Sequence, residues 1–292
     1  MNTKRSVAVL GPSTYSEEAA AWLLQDTNWD IVSYKTIGDV FEATLSGETN
    51  YSVVPVENTF EGSVSLHIDW LVSEPDLPIQ TEWVYPIHVN LMGLPTFDGD
   101  LGSVRKVLSH QVAFAQCRRF LSEHLPQAEL GAANSTSEGA RLLGERGDPR
   151  IVSIGPASAA ARYGLTLLAP AIQDHKNNYT RFVLAGKERV PLLSPKDGLG
   201  PSVKTTLLLM PGEDSPGGLH QLLSAFAWRR LNLTKLESRP TKRKLGTYYF
   251  YVDVEASIDE VLLRGAIEEI KAVGCEVRIL GSYPSYGYPM NA

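Results

Sequence analysis

The chain has few of the features that would assign it to a class at once. Its two cysteines, Cys117 and Cys275, lie far apart in unlike surroundings, which excludes a disulfide framework or a cysteine-rich zinc site. Cations are scarce too: 27 Lys and Arg stand against 33 Asp and Glu, a formal charge of −6 over 292 residues. Without a basic stripe, no nucleic-acid partner is expected. No apolar run approaches the roughly 20 residues that a membrane helix needs. Residues 1–5 lead straight into a strand rather than a signal peptide, so no membrane partner is expected and the cytoplasm is the expected location. A phosphate loop, a GxGxxG fingerprint, a nucleophile elbow and a His/Cys metal spacing are all missing. Neither a metal nor a cofactor is expected.

What is there is an alternation. Residues 6–10, 31–34 and 51–56 read as short apolar strands, each followed by a helical pattern. That βαβαβα order predicts a parallel sheet with functional loops at the carboxyl ends of its strands. Residues 82–94 read as two extended pieces around Pro86, after which strands at 104–108, 129–132 and 151–154 resume the alternation. Two α/β lobes joined by extended crossings predict a hinged domain with a cleft. Residues 190–202, with Pro191, Pro195, Gly198, Gly200 and Pro201, read as a linker. Beyond it, strands at 204–210, 233–239, 247–255 and 275–283 and two helical stripes give the βαββαβ order of a ferredoxin-like unit. Lys242-Arg243-Lys244 falls in the turn between its middle strands and reads as a solvated loop.

The chemistry sits in polar turns. Thr14 with Glu17, and Ser135 with Glu138, have capping-box spacing, and Pro156 reads as a first helical residue. Residues 11–16, 58–63, 135–137 and 155–158 each place Ser, Thr, Asn or Gly at a strand-to-helix junction. Taken singly each is an N-cap; taken together, across both lobes, they describe a pocket for a small polyanion. The polar stretch 174–180 then runs into the apolar strand 183–185. There Arg181 offers a planar fork for a carboxylate, with Lys176 and His175 nearby, and Thr180 offers a hydroxyl. His110, Glu57 and Glu61 are acid–base candidates, each with a plainer role as a cap or a loop residue.

Several segments are more specific. Gly11-Pro12, Tyr15-Ser16-Glu17-Glu18-Ala19, Val54-Pro55-Val56-Glu57-Asn58-Thr59-Phe60-Glu61-Gly62, Asn178-Tyr179-Thr180-Arg181-Phe182 and Glu237-Ser238-Arg239-Pro240 together resemble the prephenate dehydratases, the last in a domain similar to ACT regulatory domains. The resemblance implies an α/β fold: a two-lobed, periplasmic-binding-protein-like catalytic domain, then a ferredoxin-like βαββαβ ACT domain. The expected division is 1–187 for the catalytic domain (lobes 1–80 plus 168–187, and 95–165), 188–202 for the linker, 203–285 for the ACT domain and 286–292 for a tail. With no chorismate mutase segment before Ser6, the chain is expected to be monofunctional.

The implied reaction takes prephenate to phenylpyruvate with loss of water and carbon dioxide, on the route to phenylalanine, without a cofactor. Thr180 would donate to the departing hydroxyl, with Glu57 or a water relaying through Thr180 as the proton source. Arg181 and the helix starts would hold the pyruvyl carboxylate, since a strong ion pair to the ring carboxylate opposes its loss. Thr14, Ser16, Asn58, Thr59, Ser135 and Thr136 are the implied substrate contacts, together with Gly155, Asn178 and Phe182. Phenylalanine is the implied effector, bound between ACT domains of two subunits in a homodimer or homotetramer. Its implied site is Gly217, Gly218 and Leu219 with Glu237, Ser238, Arg239 and Pro240. A two-lobed solute-binding protein is the alternative reading, against which stand the Thr180–Arg181 pair and the appended domain.

Overall fold

The computed structural model describes residues 4–73, 77–191, 193, 201–212, 215–241 and 247–287. The first lobe contains β1 (Ser6–Leu10), α1 (Tyr15–Leu24), β2 (Asp30–Tyr34), α2 (Ile37–Leu45), β3 (Tyr51–Asn58), the two-residue β4 (Gly62–Ser63), α3 (Ser65–Ser73) and β5 (Ile79–Pro86). The second contains β6 (Asn90–Gly93), a 3-10 turn at Leu101–Ser103, β7 (Lys106–Ser109), α4 (Gln111–Gln116), α5 (Arg118–His124), β8 (Glu129–Ala132), α6 (Thr136–Arg146), β9 (Ile151–Gly155), α7 (Ala157–Arg162) and β10 (Thr166–Ala169). β11 (Tyr179–Ala185) returns to the first lobe and lies antiparallel between β3 and β5. The C-terminal domain follows as β12 (Ser202–Pro211), α8 (Gly218–Ala227), β13 (Leu233–Pro240), β14 (Tyr248–Val254), α9 (Val261–Ala272) and β15 (Cys275–Tyr286). This is the expected class: a two-lobed, periplasmic-binding-protein-like domain followed by a βαββαβ unit.

Local chemistry sets the helix starts. Thr14 caps α1 by accepting from the Glu17 amide, Thr36 and Asp39 form a capping box on α2, and Ser135 caps α6 by accepting from the Glu138 amide. Three local expectations change. Pro156 is the N-cap of α7 rather than its first residue. The single helix that the alternation implies between the strands at 104–108 and 129–132 breaks at Cys117 into α4 and α5. The 58–63 turn is no helix start: β3 continues to Asn58, reverses, and pairs with β4 before α3 begins.

A five-stranded sheet, β10-β6-β9-β7-β8, makes the second lobe. Residues 168–169 therefore belong to the second lobe, not to the return segment. The larger sheet runs β13-β14-β12-β15-β5-β11-β3-β1-β2, so one sheet spans the first lobe and the C-terminal domain. β15 continues past 283 and lies parallel to β5, pairing Ser285 with Glu82 and Tyr286 with Trp83. The approach demands a residue without a side chain, because a Cβ on Gly281 would stand 2.3 Å from the Ile79 carbonyl oxygen. Residues 192 and 194–200 of the expected linker, 242–244 and 288–292 lie outside the described residues. Among the described residues, no helix is long and apolar enough to cross a membrane.

Candidate active site

A cleft of about 330 Å³ opens between the lobes, within the roughly 300–1,000 Å³ usual for small-molecule sites. From the first lobe it receives Thr14, Tyr15 and Ser16 at the start of α1, with Asn58 and Glu61 from the hairpin after β3. From the second it receives His110, Val112 and Gln116 beside α4, and Asn134, Ser135 and Thr136 at the start of α6. Thr180 and Phe182 line it from β11. Among the described residues lining it there is no Lys or Arg. Residues at the amino ends of α1 and α6, one helix from each lobe, line it instead, and helix amino ends carry partial positive charge.

Thr180 is held by the side-chain amide of Asn58. Asn58 Nδ2 lies 3.0 Å from Thr180 Oγ1, 3.0 Å from Asn178 Oδ1 and 3.1 Å from the Tyr179 carbonyl. Asn58 Oδ1 accepts the amides of Phe60 and Glu61, which fixes the hairpin turn. Asn178 in turn donates to Gln116 Oε1 at 3.2 Å, so the array reaches α4 in the other lobe. The Thr180 oxygen accepts an N–H, and its own proton is then available to a partner in the cleft.

Arg181 is not in the cleft. Successive residues of a strand point to opposite faces, so Thr180 and Phe182 face the cleft while Arg181 faces the C-terminal domain. Its guanidinium is buried, donates from Nη1 to Asp253 Oδ2 at 2.5 Å, and lies 3.4 Å from Glu82 and 3.5 Å from Glu57. Burial alone would lower its pKa, but Asp253 and Glu82 drive it well above the usual arginine range. Glu82 is fully buried; burial works against its ionisation, yet Arg181, Lys204 and a hydrogen bond from Ser285 together hold its pKa below the ordinary value. Glu57 is turned the same way as Arg181. A register shift lets Arg181 face Glu57 while Phe182 faces Pro55, and the extra residue, Val56, swings Glu57 out of the cleft. Its carboxylate sits between Arg181 and Lys235, so it is removed as a direct proton source.

The other expected residues divide. Thr14, Ser16, Asn58, Ser135, Thr136, Thr180 and Phe182 are brought together. Thr59 instead exchanges hydrogen bonds with the backbone of Tyr179, 3.1 Å each way. Gly155 lets β9 approach Thr136, where a Cβ would be 3.1 Å from the Thr136 Cβ. Asn178 donates no hydrogen bond to Thr180 and borders a separate apolar pocket with Phe60 and His175. His110 caps α4, its Nδ1 accepting from the Val112 amide at 3.3 Å, the plainer of its two expected roles. Gln116 was not anticipated. The signal was present as a polar residue on the Val112-Ala113-Gln116 stripe of a short helix.

Comparison with known proteins decides the family. The prephenate dehydratase family model matches residues 7–190 and the ACT domain model matches residues 206–272. The chain belongs to the prephenate dehydratase family. It is 41% identical to the prephenate dehydratase of Bacillus subtilis (strain 168), over 96% of this chain and 99% of that one. The Methanocaldococcus jannaschii enzyme is 35% identical, over 97% and 99%. A prephenate dehydratase from Arthrobacter aurescens, solved in complex with L-Phe, superposes with a TM-score of 0.82 at 31% identity, covering 95% of this chain and 89% of that one. GqqA, described as a novel type of quorum-quenching acylase, superposes with a TM-score of 0.83 at 28% identity, covering 98% and 99%. The chain is thus a lyase of the prephenate dehydratase type carrying an ACT domain.

The ACT domain meets the first lobe along a groove of about 1450 Å³. Gly217, Gly218, Leu219 and Pro240 line it from the ACT side, and Leu66 and Trp70 from α3. Gly217 has φ +83° as the N-cap of α8, a conformation that favours glycine. Glu237, Ser238 and Arg239 run along β13 toward it. Arg239 lies 3.7 Å from Glu237 but 2.9 Å from Asp69 of α3, so its main partner is in the other domain.

Proposed function

We propose that the cleft aromatises prephenate with Thr180 as donor to the leaving hydroxyl. The ring C–O and C–carboxylate bonds break, the C–C electrons enter the ring, and hydroxide takes a proton to leave as water beside carbon dioxide and phenylpyruvate. The amino ends of α1 and α6 hold the pyruvyl carboxylate, helped by Thr14, Ser16, Ser135 and Thr136, while Phe182 lies against the ring. The observation that carries the reading is the Asn58–Thr180 hydrogen bond on the cleft floor. With Glu57 turned away, a water relaying through Thr180 remains as the proton source. The same Asn58 contact disfavours acylase chemistry like that described for GqqA, which needs a nucleophile activated by an adjacent base.

The reading extends to phenylalanine formation as the pathway and to phenylalanine as inhibitor, bound in the ACT groove of a homodimer or homotetramer. Residues 1–187 act as the catalytic unit and 203–285 as the regulatory one. The L-Phe complex of the Arthrobacter relative supports the effector. The test is phenylpyruvate formation from prephenate, with an acyl-amide substrate in parallel. Thr180→Val should cost about 10²–10⁴ in kcat, and Thr180→Ser should retain much of the rate. If Val and Ser behave alike, the hydroxyl is not the donor.

A further inference from the structure

Strand β13, at the edge of the ACT part of the shared sheet, grips the first lobe at two places. On β13, Lys235, Glu237 and Arg239 alternate onto one face. Lys235 Nζ donates to Ser63 Oγ at 2.5 Å and lies 3.3 Å from Glu57 Oε1. Arg239 donates from Nε and Nη2 to Asp69 Oδ1, at 3.2 and 2.9 Å, and from Nη2 to the Ser65 carbonyl at 3.5 Å. Tyr249 of β14 adds its hydroxyl to Asp69 Oδ1 at 3.2 Å. Every one of these first-lobe partners lies in the continuous segment β3–β4–α3. That segment also carries Asn58, whose amide holds the Thr180 hydroxyl, and whose neighbour Thr59 is tied to the Tyr179 backbone. The groove at the start of α8 is walled on its far side by the same α3.

We propose that Asp69 is the positioning residue that relays occupancy of the ACT groove to Thr180. This rests on phenylalanine being the effector. A ligand that shifts β13 against α3 changes the Arg239–Asp69 contact. The hairpin between β3 and α3 is held from both ends, so it moves with the helix, and Asn58 with it. The catalytic hydroxyl is then reoriented with no effector atom near the cleft. The relay needs a charge on Asp69, because two guanidinium nitrogens converge on one of its oxygens.

The experiment compares the unmodified chain with Asp69→Asn, which keeps the size and removes the charge. Phenylalanine binding is read by calorimetry, and prephenate turnover with and without phenylalanine by phenylpyruvate absorbance. In the unmodified chain, coupling of roughly 5–150-fold is expected. In Asp69→Asn, a change at a residue that borders the groove, phenylalanine still binds and the ratio of turnover with and without it falls to within about twofold of none, whatever the turnover without effector. Undiminished inhibition in an Asp69→Asn chain that binds phenylalanine overturns the relay. Absence of phenylalanine binding in the unmodified chain overturns the effector reading itself, and is seen before any variant is made. Tyr249→Phe, which removes one neutral donor to Asp69, provides the second test if Asp69→Asn folds poorly. Partial loss of inhibition supports the relay, and full inhibition overturns it.

Discussion

On one face of β11, Thr180 and Phe182 look into a cleft whose described lining holds no Lys or Arg. On the other face, one residue away, Arg181 stands among Asp253, Glu82 and Glu57. Thr180, Arg181 and Phe182 thus divide between two tasks. On the proposed function, the cleft face would bind an anion with helix ends and amides, which suits a reaction in which charge leaves a carboxylate. The junction face uses fixed charges to join two domains. A guanidinium paired with the departing carboxylate would stabilise the ground state more than the transition state; behind the strand it does no such harm.

This division can be broken by experiment. The largest effect should come from Asp253→Leu, which leaves Arg181 buried without its shortest contact and should cost about 3–5 kcal/mol in urea unfolding. Adding Arg181→Met should recover most of that, with KM for prephenate nearly unchanged. A KM rise of about 100-fold or more in the double variant, roughly 2.7 kcal/mol, would put Arg181 back on the substrate. On the cleft side, Asn58→Ala should lower kcat by about 10–100-fold, equivalent to 1.4–2.7 kcal/mol. Unchanged kcat would mean that Thr180 is oriented by something else.

Acid should loosen the junction. The Glu82 pKa lies below its ordinary 4.5 in the folded chain. Its contribution is therefore complete above about pH 4.5 and is lost as the pH falls from there through the folded-state value. Unfolding midpoints measured from pH 6 to 3 should drop in that window, and Glu82→Gln should flatten the drop. The smallest effect belongs to the exposed Lys271–Glu268 pair on α9: Lys271→Ala should change stability by less than about 0.5 kcal/mol.

Much of this fold was legible because its signals are local. Thr14, Thr36 and Ser135 announce helix starts through their own hydrogen bonds, and the strands of the ACT domain lie within a few residues of their expected bounds. The cleft was legible in part for the same reason, as its helix starts are capped by the residues that line it. Arg181 was misplaced by reading neighbours as partners, although strand alternation alone sends Thr180 and Arg181 apart. Glu57 was harder: its direction depends on a one-residue register shift against β11, a pairing between segments more than 100 residues apart. The joining of the two domains into one sheet depends on Gly281 meeting Ile79, and nothing near either residue marks the other.

That shared sheet has a consequence for how the chain is made. Ser285 and Glu82, hydrogen-bonded in the finished protein, are 203 residues apart. At about 5–20 residues per second, β5 leaves the ribosome some 10–40 s before β15 exists. Through that interval β5 is an open edge, the kind of surface on which nascent chains pair wrongly with one another. Glu82, which the completed protein buries among cations, is during synthesis a bare charge in the middle of that edge. A charge there disfavours pairing with a foreign strand until Arg181 and Lys204 arrive to neutralise it and Ser285 to donate a hydrogen bond.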